Sequence, residues 1–351
     1  MIDCLAILLI SFVQLIAANN EAELFFAGDA MQHGPQIKSA RQADGTYDYS
    51  PYFSLIADDI AKADYAVVNL ECVLGGEPYS GYPSFSAPDA YALHLRDCGF
   101  DLLQTTNNHC LDKGDRGVRR TLDVLRANGI PRIGTYYDIA DRDTIAPYIA
   151  TVKGIKIAFI AYTYGTNTGG GRASVVDRID RALMAADITK AKKMGAEVIC
   201  ALMHWGIEYQ KLPSKQQRAD AQFLIDNGVD LIIGAHPHVV QPSEMVTDKN
   251  GKKHLVAYSL GNFISNQNDV DSRGGSVVKV RLRRGARGIE IADARYKLVF
   301  VDKPSPTANY YQLIPCKEPE KVSAGQRLTF DTFTRNVRAL LEKHNIDVPE
   351  E

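Results

Sequence analysis

An α/β domain with a largely parallel sheet is the architecture that the order of residues in this chain predicts. Two patterns carry that reading. Short aliphatic runs recur along the chain with helix-periodic segments between them, which is the alternation of an α/β sheet. Most of those runs place aliphatics at consecutive positions, as strands do when both faces of their sheet are covered. The 351 residues suffice for one large α/β domain or two medium ones, with a full hydrophobic core.

Taken in chain order, the candidate strands are Glu23–Gly28 (ELFFAG), Tyr65–Leu70 (YAVVNL), Phe100–Thr106 (FDLLQTT) and Lys156–Tyr162 (KIAFIAY). Glu197–Met203 (EVICALM), Asp230–Ala235 (DLIIGA) and Leu255–Leu260 (LVAYSL) come next. Three helices have clear limits. Asp115–Asn128 carries Val118, Leu122 and Leu125 on one stripe and stops at Gly129, a C-terminal breaker. Asp177–Met194 runs up to Gly195, and Ser214–Asn227 opens on a Ser214-x-x-Gln217 capping box and stops at Gly228. Residues 276–301 (SVVKVRLRRGARGIEIADARYKLVFV) alternate more and predict antiparallel strands. A Pro-rich link (302–321) then leads to a last helix on which Phe333, Val337, Leu340 and Leu341 share a face. The expected organisation is a leader or anchor over 1–20, one domain over 21–303, and a link plus C-terminal helix over 304–351.

Cys4–Ala18 (CLAILLISFVQLIAA) is apolar apart from Ser11 and Gln14. A bilayer-spanning helix needs about 20 apolar residues; this block has the length of a signal-peptide core, with Ala17 and Ala18 at a cleavage point. No Lys or Arg precedes it. A signal peptide is the first reading, and an uncleaved anchor or an ordinary buried segment are the alternatives. Either of the first two places the protein in the periplasm or cell envelope. Cys72, Cys98, Cys110, Cys200 and Cys316 are odd in number and lack CxxC spacing, so they predict neither a disulfide scaffold nor a thiolate zinc cluster. The formal charge of -2, with no long run of one sign, leaves no electrostatic footprint for nucleic acid. GxSxG, GxxxxGK[ST] and strand-linked GxGxxG motifs are all missing. Thr168–Arg172 (TGGGR) and Tyr79–Asp89 (YSGYPSFSAPD) read as loops, the second able to line a pocket.

The residues just past each strand are the informative ones. Asp29 stands after the first, Glu71 after the second, Asn107-Asn108-His109 after the third, His204 after the fifth, His236-Pro237-His238 after the sixth, and Gly261-Asn262 after the seventh. In an open α/β sheet the carboxyl ends of strands share one crevice. Taken singly, each His reads as a hydrogen-bonded rim residue, Asp29 as a turn cap and Asn108 as a turn residue. Taken together they read as a metal site, because imidazole and carboxylate suit zinc, iron and manganese. Pro237 favours an extended His236. Side chains at i and i+2 of an extended segment point the same way, so His236 and His238 are expected to face one cavity. The donors suffice for one or two divalent ions, which could hold a water and clamp an oxyanion.

With those motifs in view, the chain resembles the CapA family of bacterial capsule proteins, also called PgsA-type poly-γ-glutamate synthesis proteins. GDAM, NLECVL, TTNNHCLDKG, MHWGIEY, IGAHPHVVQ and YSLGNF come in the family's order, over about two thirds of the chain. That family is similar to the calcineurin-like metallophosphoesterases, so the resemblance implies a four-layer α-β-β-α sandwich with a two-metal site. It implies Asp29 and His238 at one metal, Asn108, His204 and His236 at the other, and Glu71 as the bridging carboxylate. His109 would lie by the substrate oxyanion, stabilising charge or protonating the leaving group. His33, Asn107, Trp205, Glu208 and Asn262, in or beside the same segments, are the expected substrate-binding positions. The resemblance departs from the phosphoesterase Asp-x-His pattern, since Ala30 and Met31 come after Asp29, and Glu71 replaces a shorter Asp. The implied function is an exported metal-dependent hydrolase in capsule or poly-γ-glutamate synthesis or export. Its substrate would be a phosphoester, a γ-glutamyl bond or an anionic polymer, and its partner membrane-associated capsule machinery. The alternatives are a non-catalytic envelope protein that binds the polymer, and a purely structural metal site.

Overall fold

Aliphatics at consecutive positions in a strand need cover on both sides, and the structure supplies it. The computed structural model describes residues 21–169, 175–306 and 308–351. The apolar N-terminal block and most of TGGGR lie outside the described residues. The first half holds β1 (Glu21–Ala30), β2 (Tyr65–Leu70), β3 (Leu102–Gln104), β4 (Arg132–Ile133), β5 (Thr135–Tyr136), β6 (Tyr148–Val152), β7 (Ile155–Thr163) and β8 (Val175–Val176). Then come β9 (Val198–His204), β10 (Leu231–Ala235), β11 (Ser243–Thr247), β12 (Lys253–Ala257), β13 (Asn262–Ile264), β14 (Gly274–Gly285), β15 (Gly288–Asp302) and β16 (Gln312–Pro315). One sheet has the order β16-β15-β14-β1-β2-β3-β4 with β13 beside β1, and the other β11-β12-β10-β9-β7-β6.

The helices are α1 (Gly34–Ala40), α2 (Ser50–Phe53), α3 (Ala57–Ala61), α4 (Asp89–Asp97), α5 (Gly114–Ala127), α6 (Ile139–Ile145), α7 (Arg181–Lys193), α8 (Lys215–Asp226) and α9 (Arg327–His344). Alternate residues of each strand serve different cores. Leu24 and Phe26 of β1 join Ile157 and Phe159 of β7 and Ile233 of β10 in the core between the sheets. Phe25 and Ala27 face the other way, into a core with Phe53, Ile60, Tyr91 and Leu95 from α2, α3 and α4. Ile160 and Ile199, on the second sheet, pack with Met184, Ile188 and Leu224 of α7 and α8. The result is the four-layer α-β-β-α sandwich, and each fully buried aliphatic or Phe contributes about 1.5–3 kcal/mol.

Several limits differ from expectation for definite reasons. The helix expected from Asp177 begins at Arg181, because the Asp180 side chain accepts from Leu183 N and caps it. Asp177 is instead buried beside Arg142. The strand expected over Leu255–Leu260 ends at Ala257; the chain then crosses to the other sheet and re-enters it as β13. The Pro-rich link contains β16, which pairs with β15. On α9, Phe330, Phe333, Val337 and Leu341 are buried in the inter-sheet core, while Leu340 is only half-buried. The capping box of α8 forms as expected. All five described cysteines are free and buried. Among the described residues no helix is long and apolar enough to cross a membrane.

Candidate metal centre

Parallel register brings the polar strand ends together. Asp29 pairs with Asn69 across β1 and β2, and His204 with Ala235 across β9 and β10. The crossing segment between β12 and β13 ties the two sheets at this edge: Leu260 N donates to Gly234 O at 3.0 Å, and Asp29 N to Gly261 O at 2.9 Å. Two glycines permit that approach. A Cβ on Gly28 would lie 2.0 Å from Gly261 O, and one on Gly234 would lie 1.9 Å from Tyr258 O. Any side chain there would push the sheets' ends apart.

His236 and His238 do face one cavity, with rings 6.0 Å apart, but not through extended backbone. Their φ angles are +99° and +58°, in the left-handed region that costs a non-glycine residue about 1–3 kcal/mol. Tertiary contacts outweigh the preference set by Pro237. His236 N donates to the Asp29 carboxylate at 3.2 Å, and His238 Nδ1 donates to Asp29 Oδ2 at 3.1 Å and faces Asn262 Oδ1 at 3.2 Å.

Two triads of donors result. Glu71, His204 and His236 offer ligand atoms that all lie within 4.8 Å of one another, and so do Asp29, Glu71 and His238. Glu71 belongs to both. Asn108 stands at the first triad, its Oδ1 2.9 Å from His204 Nε2. The fit to divalent cations rests on what is left unpaired. Glu71 Oε1 and His236 Nδ1 are buried without a hydrogen-bond partner. Among the described residues, neither Asp29 nor Glu71 is ion-paired with a lysine or arginine; their partners are His204 and His238. Leaving two fully buried carboxyl groups without a fixed cation is costly.

The electrostatics reflect that deficit. Burial and the neighbouring Asp29 charge push the Glu71 carboxyl well above the carboxylate range. Burial opposes ionisation of Asp29 too, but the His238 hydrogen bond and the nearby imidazoles outweigh it and hold Asp29 low. Burial and the neighbouring histidines pull His236 down to about 3 and His204 well below its ordinary value. Neutral imidazoles are ready ligands.

His109 sits beside this cavity, buried, with its Nδ1 donating to Asp112 Oδ2 at 2.8 Å. That tautomer turns Nε2 outward, 3.3 Å from Asn167 Nδ2. Phe85, from the Tyr79–Asp89 loop, lies edge-on to His109 at 4.6 Å and to His33 at 5.3 Å. His33 is half-buried at the N-terminus of α1, and burial draws it down to about 4.

The five expected substrate-binding positions divide. Glu208 is exposed and lies within 4.8 Å of His236 and His238, atom to atom; His33 lines the rim. Trp205 does not reach the cavity. It alternates to the far side of His204, into the outer core, and its Nε1 donates to Tyr258 O at 2.9 Å. Asn107 is buried and committed to Leu70 O at 2.8 Å, and Asn262 orients His238 while donating to Ser272 O. These last two position other groups. Three further participants lie outside the expected site residues. Asn69 Nδ2 donates to Asp29 Oδ1 at 2.8 Å and faces Glu71 and His204 at 3.3 Å; a polar residue inside an aliphatic run was its signal. Asp112, three residues after His109, is a second, and Tyr164, with its ring 4.5 Å from His236, a third.

The chain is similar to several known proteins. The PGA biosynthesis protein CapA of Bacillus subtilis (strain 168) is 28% identical over 279 residues, 75% of this chain and 68% of that protein. The capsule biosynthesis protein CapA of Bacillus anthracis is 27% identical over 287 residues, 77% of this chain and 66% of that protein. The chain thus spans about two thirds of the length of each. NAD nucleotidase (NadN) of Haemophilus influenzae superposes with a TM-score of 0.51 at 14% identity, over 90% of this chain and 62% of that one, a likeness of fold alone. With residues 23–267 matching the family described as bacterial capsule synthesis protein PGA_cap, the chain belongs to that family.

Proposed function

We propose that this protein is a metal-dependent hydrolase of the cell envelope that acts in capsule or poly-γ-glutamate synthesis or export. The observation that carries this reading is the pair of buried His/carboxylate triads joined at Glu71, with the His109–Asp112 pair beside them. Divalent cations there, manganese, iron or zinc, would supply an activated water and stabilise an oxyanion. The protein's own residues do the rest. Asn69 holds Asp29, Glu71 and His204 in register. Asp112 fixes the His109 ring and stabilises its imidazolium form, in which Nε2 carries the proton that would go to a leaving group. Phe85 and Tyr164 shield the two sides of the cavity. The bond class is a phosphoester or a γ-glutamyl amide, and the names of the two CapA relatives support the capsule role. Export and an association with membrane-bound capsule machinery belong to the same proposal.

A second reading, a non-catalytic protein that binds the anionic polymer, is favoured by one feature. The first strand puts buried Met31 where Asp-x-His would put a ligand. Loading the protein with Mn²⁺, Fe²⁺ or Zn²⁺ and screening model phosphoesters and γ-glutamyl peptides separates the two. The hydrolase reading expects turnover that falls about 10²–10⁴-fold in His109→Gln with cation content unchanged. Cation and polymer binding without turnover on either bond class would select the second reading, and failure to take up any cation would sink both.

A further inference from the structure

We infer that Glu208 is a further ligand of this centre, an outer carboxylate that joins His236 and His238 around a divalent transition-metal ion. The inference rests on the metal-dependent reading above and extends it to a residue on the solvent side. Glu208, His236 and His238 offer ligand atoms that lie within 4.8 Å of one another. The three triads are linked in a ring: His236 is shared with Glu71 and His204, and His238 with Asp29 and Glu71. Glu71 closes the ring from the buried side, and Glu208 is its counterpart on the exposed side.

The loop that carries Glu208 is built against the histidine segment. Trp205 N donates to Ala235 O at 3.1 Å and Tyr209 N to Pro237 O at 2.8 Å. Residues 205–209 are therefore laced to the chain on both sides of His236. Tyr209 holds φ at +64° to make the second of those bonds, a conformation that costs a tyrosine about 1–3 kcal/mol. Strain next to Glu208 is maintained by contacts to the segment whose histidines Glu208 approaches. His236 Nδ1 is buried with no hydrogen-bond partner, so the histidine common to the inner and outer triads has a free donor atom.

Ligand number gives the chemical reason. Asp29, Glu71 and His238 are three donors, and β1 adds no histidine because Ala30 and Met31 come after Asp29. Divalent transition ions take four or more ligands, and a carboxylate is an acceptable fourth beside imidazole. Glu208, from the loop after β9, adds a carboxylate donor at His236 and His238, whereas β1 adds no second donor beyond Asp29.

The test uses the full chain, its Glu208→Gln and Glu208→Ala variants, and His204→Ala as a control. Co²⁺ and Mn²⁺ are titrated by calorimetry, and the visible absorption of the Co²⁺-loaded proteins is recorded. Ligation by Glu208 expects about tenfold or greater weakening of one cation equivalent in both variants. It also expects an altered Co²⁺ spectrum in Glu208→Gln, with the melting temperature of the cation-free protein unchanged. Equal affinities and superimposable spectra in wild type and Glu208→Gln would overturn the assignment while leaving the hydrolase reading intact. A wild type that binds no cation, like His204→Ala, would overturn both.

Discussion

Asp177 and Asp187 on one flank, and Asp29 and Glu71 at the strand ends, are two pairs of buried acids, but only the first pair has a guanidinium between its members. Arg142 donates to Asp177 Oδ1 at 2.5 Å and to Asp187 Oδ2 at 2.6 Å. The Tyr136 hydroxyl donates to Asp177 Oδ2 at 3.1 Å, and the Tyr162 hydroxyl to Asp187 Oδ2 at 2.7 Å. Burial still pushes Asp177 up to about 6, against the pull of Arg142. At the strand ends the neighbours are imidazoles, and burial pulls two of them, His204 and His236, below their ordinary value, His236 to about 3. Asp29 takes the negative charge and Glu71 is driven toward its acid form. A structural acid pair carries its cation in the sequence. The strand-end pair has none among the described residues, and that deficit is what the proposed cation would make good.

The largest effect should come from breaking the self-sufficient pair. Arg142→Met leaves two buried carboxylates with tyrosine hydroxyls but no cation, and should cost about 3–5 kcal/mol in urea unfolding, at any Mn²⁺ concentration. A loss under about 1 kcal/mol would mean that Arg142 is not what neutralises this pair. Next in size is the response of the strand-end pair to a cation. At a hundredfold excess over Kd, Mn²⁺ should stabilise the protein by about 2.7 kcal/mol, reversibly with EDTA. The gain should vanish in His204→Ala and persist in Arg142→Met. An equal Mn²⁺ response in all three proteins would place the cation elsewhere.

How far the site was legible in the sequence depended on where each contact lies along the chain. Asp29, Glu71, Asn108, His204, His236 and His238 each stand at or just past the end of an aliphatic run, and parallel topology takes every such end to one edge. A one-dimensional pattern therefore implied a three-dimensional cluster. Trp205 shows the limit of that rule: one position past His204, alternation turns it into the outer core. The crossing after Ala257 was hidden because LVAYSL is almost wholly apolar. Only the close approach of Tyr258 O to Gly234 and of Gly261 O to Gly28 exposes it. The left-handed backbone at His236 and His238 is imposed by Asp29, some two hundred residues away, against the local preference set by Pro237. Arg142 and Asp177 likewise meet from distant parts of the chain with no local signature.

The smallest effect has the most specific sign. Glu71→Gln removes the acid that the cation-free cavity cannot accommodate in ionised form, so at pH 7 without metal the variant should be more stable by roughly 1–2 kcal/mol. Glu71 in the folded protein titrates above its ordinary 4.5. Its contribution is therefore intact below pH 4.5 and is lost as pH rises through the folded-state value. The stability difference between variant and wild type should be flat in acid and widen in the variant's favour above pH 4.5. Asp177, raised from 3.8 to about 6, loses stability with the same sign between those values, but it does so in both proteins and cancels in the difference. Saturating Mn²⁺ should reverse the order, because the cation compensates a carboxylate and gains much less from an amide. Urea unfolding from pH 4 to pH 8, with Mn²⁺ and with EDTA, measures both effects. A difference that stays flat across that range in EDTA would show Glu71 to be compensated by protein groups alone, and the contrast with the Arg142 pair would collapse.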